Sequence, residues 1–443
     1  MKTLDHRARG AAVATTRDVR RDVAASAIGN ATEWFDYGIY AYGVTYIAVA
    51  LFPGKMQQAT LFALGVFAIS FLMRPLGGAF WGSLGDRIGR RGVMAATIVL
   101  MAGATFGVGL LPTYAAAGFW APTLLILLRM LQGFSTGGEY GGAATFMAEH
   151  APDARRGFFG SFLEFGTLSG FSVGALLMLG GSLLLGPVAM RDWGWRLPFF
   201  GAAPLAFVGF YLRSRVGETP VFLAEKEPAR VPLTRLLTRH WRPILTMSGL
   251  VIALNVVNYT LLSYMPTYFR LQLRLSTETA LAVPIVGMLF MMTLLPFAGA
   301  LSDRVGRKPM WWFSLGGLFM LALPIYAMMS TGVAGALVGF VVLGVLYAPQ
   351  LATISATFPA MFPTRVRFAG FALAYNVATS IFGGGAPVFN SWLIGRTHDL
   401  FVPAYTMMAS CAVGMAALCF TIETAGASLH GQRIPRREAR SGA

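Results

Sequence analysis

The sequence predicts an all-α integral membrane protein of twelve transmembrane helices, built as two pseudo-symmetric six-helix bundles. Three observations predict it. Of the 443 residues, 56% are hydrophobic and 12% charged, where soluble chains carry roughly a quarter charged, and successive apolar runs reach the ~20 residues that cross a bilayer. Lys and Arg concentrate in alternate loops. One loop pattern occurs twice, once in each half of the chain.

Taken in order, a polar, Arg-rich tail (1–22) precedes a first apolar run at 23–51 that contains Glu33 and Asp36. It does not read as a cleavable signal. Further runs cover 59–83, 92–111, 119–148, 158–186 and 195–213, completing a first bundle over 23–213. The stretch RSRVGETPVFLAEKEPARVPLTRLLTRHWR (213–242) is polar and contains Pro. It reads as a linker, set at 214–243, with a short amphipathic helix on the membrane surface. The runs 244–270, 281–301, 309–329, 333–362, 368–394 and 402–422 form a second bundle over 244–423, followed by a basic tail at 424–443.

The net charge of +16 sits in the first 22 residues, in 213–242, after Gln432, and in loops at 87–91, 155–156, 304–308 and 365–367. That alternation follows the positive-inside rule and predicts two cytoplasmic termini. Nucleic-acid binding would need a basic folded surface carrying aromatics, and the charge is spent on topology instead. Cys411 and Cys419 lie in one span, about 12 Å apart in helical rise, too far for a local disulfide. No metal spacing, nucleophile elbow or Walker sequence occurs, so an enzyme, an ATP-driven pump and any cofactor are not expected.

The repeat is GSLGDRIGRRGVM (82–94) and GALSDRVGRKPMW (299–311), with Asp86 matched by Asp303 217 positions later. PDARRGF (152–158) is echoed by PTRVRFA (363–369). Parallel six-helix repeats describe major facilitator transporters, with the substrate near the midplane between halves. The doubled loop and LLRMLQGFSTGGEYGGA (127–143) resemble the major facilitator superfamily. GNATEWFDYGIYAYG, RPLGGAFWGSLGDRIGRR and DWGWRLPFF resemble its metabolite:proton symporter family. FWAPTLLIL, GLVIALNVVNYTLLSYMPTY and FPAMFPTRVRF are similar to the osmoprotectant:proton symporters that carry proline and glycine betaine. The resemblance covers nearly all spans. It implies the major facilitator fold and a cytoplasmic gate that includes Asp86. Carriers of this kind that sense osmolarity end in a coiled coil; the basic segment after Glu423 shows no heptads, so regulation by that route is not expected.

Few charges fall inside the spans: Glu33, Asp36, Arg74, Arg129, Glu139 and Glu164, all in the first half. Glu33 lies about 15 Å into a roughly 30 Å core. Asn30, Glu33, Tyr37 and Tyr40 share one helical face with Asp36 beside it, and Gln132, Thr136 and Glu139 share another with Arg129 on its flank. Such stripes face water-filled cavities or partner helices. All five histidines fall in tails or loops, so a proton route depends on carboxylates. The reading is that Glu33, Asp36 and Glu139 include the proton carrier, with Arg129 as switchable counter-charge; the alternative is a fixed salt-bridge network. Arg74 is expected to pair with an acid and serve the gate.

Four acids against two arginines leave this interior net negative. A carrier of citrate or α-ketoglutarate, the alternative substrates, would concentrate cations instead. A zwitterion fits better: Arg129 would hold its carboxylate, and Trp34, Phe35, Tyr37 or Tyr40 would pack on a quaternary ammonium. Asn255, Asn258, Tyr259 and Asn376 supply dipoles from the second half. The expected partners are thus a small zwitterionic solute, protons and lipid, with no obligate protein partner. In the doubled loop Gly82, Asp86, Arg87, Gly89, Arg90, Asp303, Arg304 and Arg307 are expected to latch the cytoplasmic face through salt bridges and helix-end dipoles. Gly166, Gly170 and Gly174 form a close-packing stripe, and GGGAP (383–387) should soften span 11.

Overall fold

The computed structural model describes residues 16–88, 90–205, 207–208 and 233–429. Span 1 is the helix Thr16–Leu51, which begins before the apolar run at residue 23. Hydropathy marks the membrane edge, whereas helical hydrogen bonds are internal and continue past it. Span 2 comprises Met56–Leu72 and Arg74–Ile88, jointed at Met73, and span 3 is Arg90–Gly109. Span 4 comprises Trp120–Thr136 and Glu139–His150. Span 5, Arg156–Asp192, kinks at Gly186, whose φ of 74° suits a residue without Cβ. The described part of span 6 starts at Leu197–Phe200.

Span 7, Trp241–Leu271, carries a wide turn at Thr260–Tyr264 with π-helical bonding. Spans 8, 9 and 10 are Thr277–Val305, Arg307–Met329 and Val333–Thr357. Span 11 comprises Thr364–Ala378 and Gly384–Thr397, joined by a second π-helical turn at Thr379–Gly383 where the glycine run begins. Span 12 is Val402–Cys419. Seven of these helices are long and apolar enough to cross a membrane on length and composition alone, and no strand occurs among the described residues.

Glycine sets how closely spans 1 and 5 approach. A Cβ on Gly166 would strike the backbone of Ala27, one on Gly170 that of Ala31 and Phe35, and one on Gly174 that of Gly38 and Ile39. The first six spans meet the last six at both ends of the molecule. On the face bearing the basic loops, Asp303 accepts the backbone N–H groups of Gly157 (2.8 Å) and Phe158 (2.9 Å), and Arg367 donates to Glu149 at 2.8 Å. Toward the opposite face Ser182 donates to Glu278 at 3.4 Å and Tyr42 meets the Met288 sulfur at 3.8 Å. Between these contacts the centre is filled by buried aromatic side chains, Trp34, Tyr37, Phe67, Phe71, Tyr259 and Tyr375 among them.

Candidate functional site

Glu33 and Asp36 stand three residues apart on one helix, which turns them about 60° from each other around its axis. They therefore meet different neighbours. Asp36 points into the first half. Its Oδ2 accepts Arg129 Nη1 at 2.9 Å, and its Oδ1 accepts Thr105 Oγ1 and Gln132 Nε2, both at 2.8 Å. Arg129 Nη1 also donates to Gln132 Oε1 at 2.8 Å, closing a ring of side chains from spans 1, 3 and 4. All four residues are buried. The Arg129 guanidinium lies 4.2 Å over the Tyr40 ring, and its Nε and Nη2 have no hydrogen-bond partner among the described residues. Removing one member of such a buried pair costs about 3–5 kcal/mol, because the other charge is left behind.

Glu33 turns instead toward span 2, its Oε1 3.8 Å from Arg74 Nη2. The expectation that Arg74 pairs with an acid is met here, deep among rings rather than beside the loop charges. Arg74 Nη2 donates to Tyr37 Oη at 2.8 Å, and its guanidinium covers the Phe71 ring at 4.7 Å. Phe71 is 5.0 Å from Tyr259 of span 7, and Trp34 is 6.2 Å from the same ring, so this second cluster lies at the boundary between halves. The Trp34 indole donates to Asn30, which donates in turn to Leu163 O and Thr167 of span 5, fixing the ring. In this cluster Arg74 Nε and the Tyr259 hydroxyl are buried without a hydrogen-bond partner among the described residues.

Glu139 opens the second helix of span 4. The break at Gly137 and Gly138 interrupts the continuous stripe expected through Gln132, Thr136 and Glu139. Glu139 nevertheless lines the same narrow crevice as Glu33, Asp36, Thr32 and Thr105, among spans 1, 3, 4 and 6. Its walls are mainly apolar, and it lies within the first half, not between halves. Glu164 accepts the Tyr140 hydroxyl at 2.5 Å, and the Tyr140 ring stacks on Tyr375 of span 11 at 4.6 Å.

The remaining expected contacts divide. Tyr40 donates to Ala63 O at 2.8 Å and stays inside the first half. Asn255 donates to Thr379 at 3.0 Å and Asn258 accepts from Tyr347 at 2.9 Å, both within the second half. Asn376 crosses between halves to Gly137 O at 2.8 Å. In the loops, Asp303 also accepts Arg307 Nη2 at 2.6 Å, and Arg304 is exposed. The side chains of Asp86, Arg87 and Arg90, and all of Gly89, lie outside the described residues, while Gly82 falls within the helix Arg74–Ile88. Thr105, Gln132 and Phe71 were not singled out as site residues from the sequence; only Gln132, one turn from Arg129, carried a readable signal.

A model of the Major Facilitator Superfamily matches residues 28–387. The chain belongs to that superfamily. Within it, the proline/betaine transporter of Salmonella typhimurium is 40% identical over 427 residues, covering 93% of this chain and 85% of the relative. The ectoine/proline transporter of Corynebacterium glutamicum is 40% identical over 448 residues, covering 97% and 89%. Among solved structures, the proton:xylose symporter of the superfamily bound to 6-bromo-6-deoxy-D-glucose aligns with a TM-score of 0.73 at 20% identity, covering 93% of this chain and 97% of that one. That last likeness concerns the major facilitator fold. Chain and curated relatives thus share the superfamily's twelve-helix transporter architecture, and those relatives are named as transporters, not enzymes.

Proposed function

We propose that this protein takes up a small zwitterionic solute together with protons, by exposing a site between its halves alternately to each side of the membrane. The observation that carries the reading is two buried carboxylate–arginine pairs one turn apart on span 1, one at the boundary between halves and one inside the first half. The boundary pair suits the solute. Arg74, expected from sequence to serve the gate, is assigned to the solute instead: it presents a buried Nε to a carboxylate, while Trp34, Tyr37, Phe71 and Tyr259 offer ring faces to a positive nitrogen beside Glu33. Proline, betaine and ectoine, named for the relatives, each combine one carboxylate with one cationic centre. Asn258 and Asn376 are assigned to the solute from the second half. Arg129, expected from sequence to hold that carboxylate, is engaged by Asp36 and is assigned to proton coupling instead.

The Asp36–Arg129 pair suits the proton. Protonating Asp36 would weaken its hold on Arg129, and Glu33 and Glu139, which line the same crevice as Asp36, offer two further carboxylates beside it. On this reading the basic face is cytoplasmic, the membrane is the bacterial inner membrane, and Asp303 with Arg307 belongs to the cytoplasmic gate, matched by Asp86 in the first repeat. The two bundles, 23–213 and 244–423, are the bodies that rock. The test is purified protein in liposomes given labelled proline, glycine betaine, ectoine, citrate and α-ketoglutarate, with and without an inward proton gradient. Gradient-driven accumulation of the zwitterions is expected. Accumulation of the acids alone refutes the substrate class, and indifference to the gradient refutes the coupling.

A further inference from the structure

Beyond span 12, residues 420–429 run without regular structure across the basic face and touch both halves there. The Glu423 carboxylate caps the start of span 9, accepting the N–H groups of Arg307 and Lys308 at 2.9 Å each. A carboxylate at a helix N-terminus is held by free N–H groups and by the helix dipole. The same carboxylate accepts the N–H groups of Thr424 and Ala425, which turns the chain back over the face. Ala427 O then accepts Arg156 Nη1 of span 5 at 3.0 Å. Leu429 O accepts Arg367 Nη2 at 2.7 Å and Thr364 Oγ1 at 3.0 Å, at the start of span 11. The Leu429 side chain is buried between Ala148 of span 4 and Ala360 of the loop before span 11.

Arg156 and Arg367 occupy matching positions in the echoed motifs PDARRGF and PTRVRFA, and both are buried. Each holds a backbone carbonyl of its own half, Ala148 O and Pro359 O respectively, and spends a further N–H on the segment after span 12. Matched arginines of the two repeats thus grip one stretch of chain, the segment after span 12. These contacts adjoin the Asp303 and Glu149 contacts that join the halves.

We propose that residues 423–429 are a clasp of the basic face: carried by the second half, they fasten onto Arg156 and Ala148 of the first, and must let go before that face opens. Attachment to the second half is the richer, through span 12, Glu423, Thr364 and Arg367, so the strap stays with that half. Among the described residues it meets the first half through the Arg156 hydrogen bond and the Leu429–Ala148 contact, and this hold is the part that releases. Anything that displaces Leu429 therefore shifts the transporter toward opening on this side. This inference rests on the alternating-access reading but not on the choice of solute or on proton coupling.

The test uses the full chain with Cys411→Ala and Cys419→Ala and a reporter, Ser355→Cys, buried in span 10 against Gly160 of span 5. Its alkylation is followed from the basic side in membrane vesicles, without any solute. Adding Leu429→Asp is expected to speed alkylation at least tenfold; an unchanged rate overturns the clasp. Separately, Leu429→Cys is cross-linked with a short bifunctional thiol reagent either to Ala148→Cys or to Ala360→Cys, without the reporter. The first cross-link is expected to block alternation, read as loss of solute exchange that thiol cleavage of the linker restores, which also shows the protein intact. The second is expected to leave exchange running. Equal block, or no block, by the two cross-links overturns the proposal. If no solute moves in any variant, the transport reading fails, while the alkylation result still decides the clasp.

Discussion

Replacing Asp36 with Asn tests the proposed proton site at its centre. The amide keeps the shape of the carboxylate, and its oxygen still accepts Thr105 and Gln132, each at 2.8 Å in the parent. What it loses is the charge-assisted bond from Arg129, leaving a guanidinium that is fully buried with Gln132 Oε1 as its one remaining acceptor. Breaking a buried pair costs ~3–5 kcal/mol, and conservation of the two neutral hydrogen bonds places Asp36→Asn near the lower end. A loss of about 3 kcal/mol is roughly a hundredfold in the equilibrium between this packing and its alternatives. The double variant Asp36→Asn/Arg129→Gln removes both charges and is expected to recover most of that stability. In proteoliposomes, Asp36→Asn should lose accumulation driven by a proton gradient yet keep exchange of labelled for unlabelled solute. Wild-type gradient dependence in Asp36→Asn would refute the assignment of the proton to this pair. A double variant less stable than either single one would refute the electrostatic account of its stability.

Arg74→Lys keeps the charge but loses the planar contact with Phe71 and the buried Nε; solute affinity is expected to fall about tenfold, with gradient dependence retained, by equilibrium binding and uptake. Tyr37→Phe deletes the hydroxyl that receives Arg74 at 2.8 Å and should leave solute binding measurable while flattening its dependence on pH; a full pH response would exclude the tyrosine as a link. Gly170→Val places side-chain atoms in the span 1 backbone at Ala31 and Phe35 and should abolish monodisperse protein on gel filtration, while Gly65→Ala, which meets nothing within 4 Å, should behave as wild type. Asp303→Asn weakens the cap on span 5 and the tie to Arg307 and is expected to raise alkylation of Ser355→Cys from the basic side; no change would remove Asp303 from the gate.

Much of this architecture was legible because hydropathy, loop charge and the doubled motif all follow from the bilayer as solvent. The intramembrane charges were legible for the same reason: each costs enough to demand an explanation. Their partners were not. Glu33 and Asp36 read as one stripe, but a rotation of about 60° sends them to different helices, and only tertiary packing decides that Arg74 serves one and Arg129 the other. Thr105 gave no signal, since a threonine in an apolar run ordinarily bonds back along its own helix, as Thr105 also does to Met101 O at 2.9 Å. The joint at Met73 left no pattern, and FTIETAGASL (420–429) reads from sequence as divided between the end of span 12 and a basic tail. Its contacts join Glu423, Leu429 and two backbone carbonyls to groups far away in sequence, Arg156 and Arg367 among them, which no local motif encodes.

The two ion pairs on span 1 matter together only if something lets one feel the other, and Tyr37 is the group in position to do so. Its hydroxyl receives Arg74 at 2.8 Å and lies 3.3 Å from Thr136 of span 4. Its ring is 5.7 Å from the Arg129 guanidinium on one side and 5.3 Å from Trp34 and Phe71 on the other. On the proposed coupling, charge released at Arg129 by protonation of Asp36 would be presented to a ring whose hydroxyl already orients the arginine assigned to the solute. Movement of Arg129 by even a few tenths of an ångström has to be absorbed by Tyr37 or Tyr40, because both rings are buried and close-packed. Coupling of this kind is reciprocal: a solute that draws Arg74 away from Tyr37 must alter the proton affinity of Asp36 by the same factor that the proton alters solute binding. That equality sets proton release on solute binding against the pH dependence of solute affinity as two readings of one number.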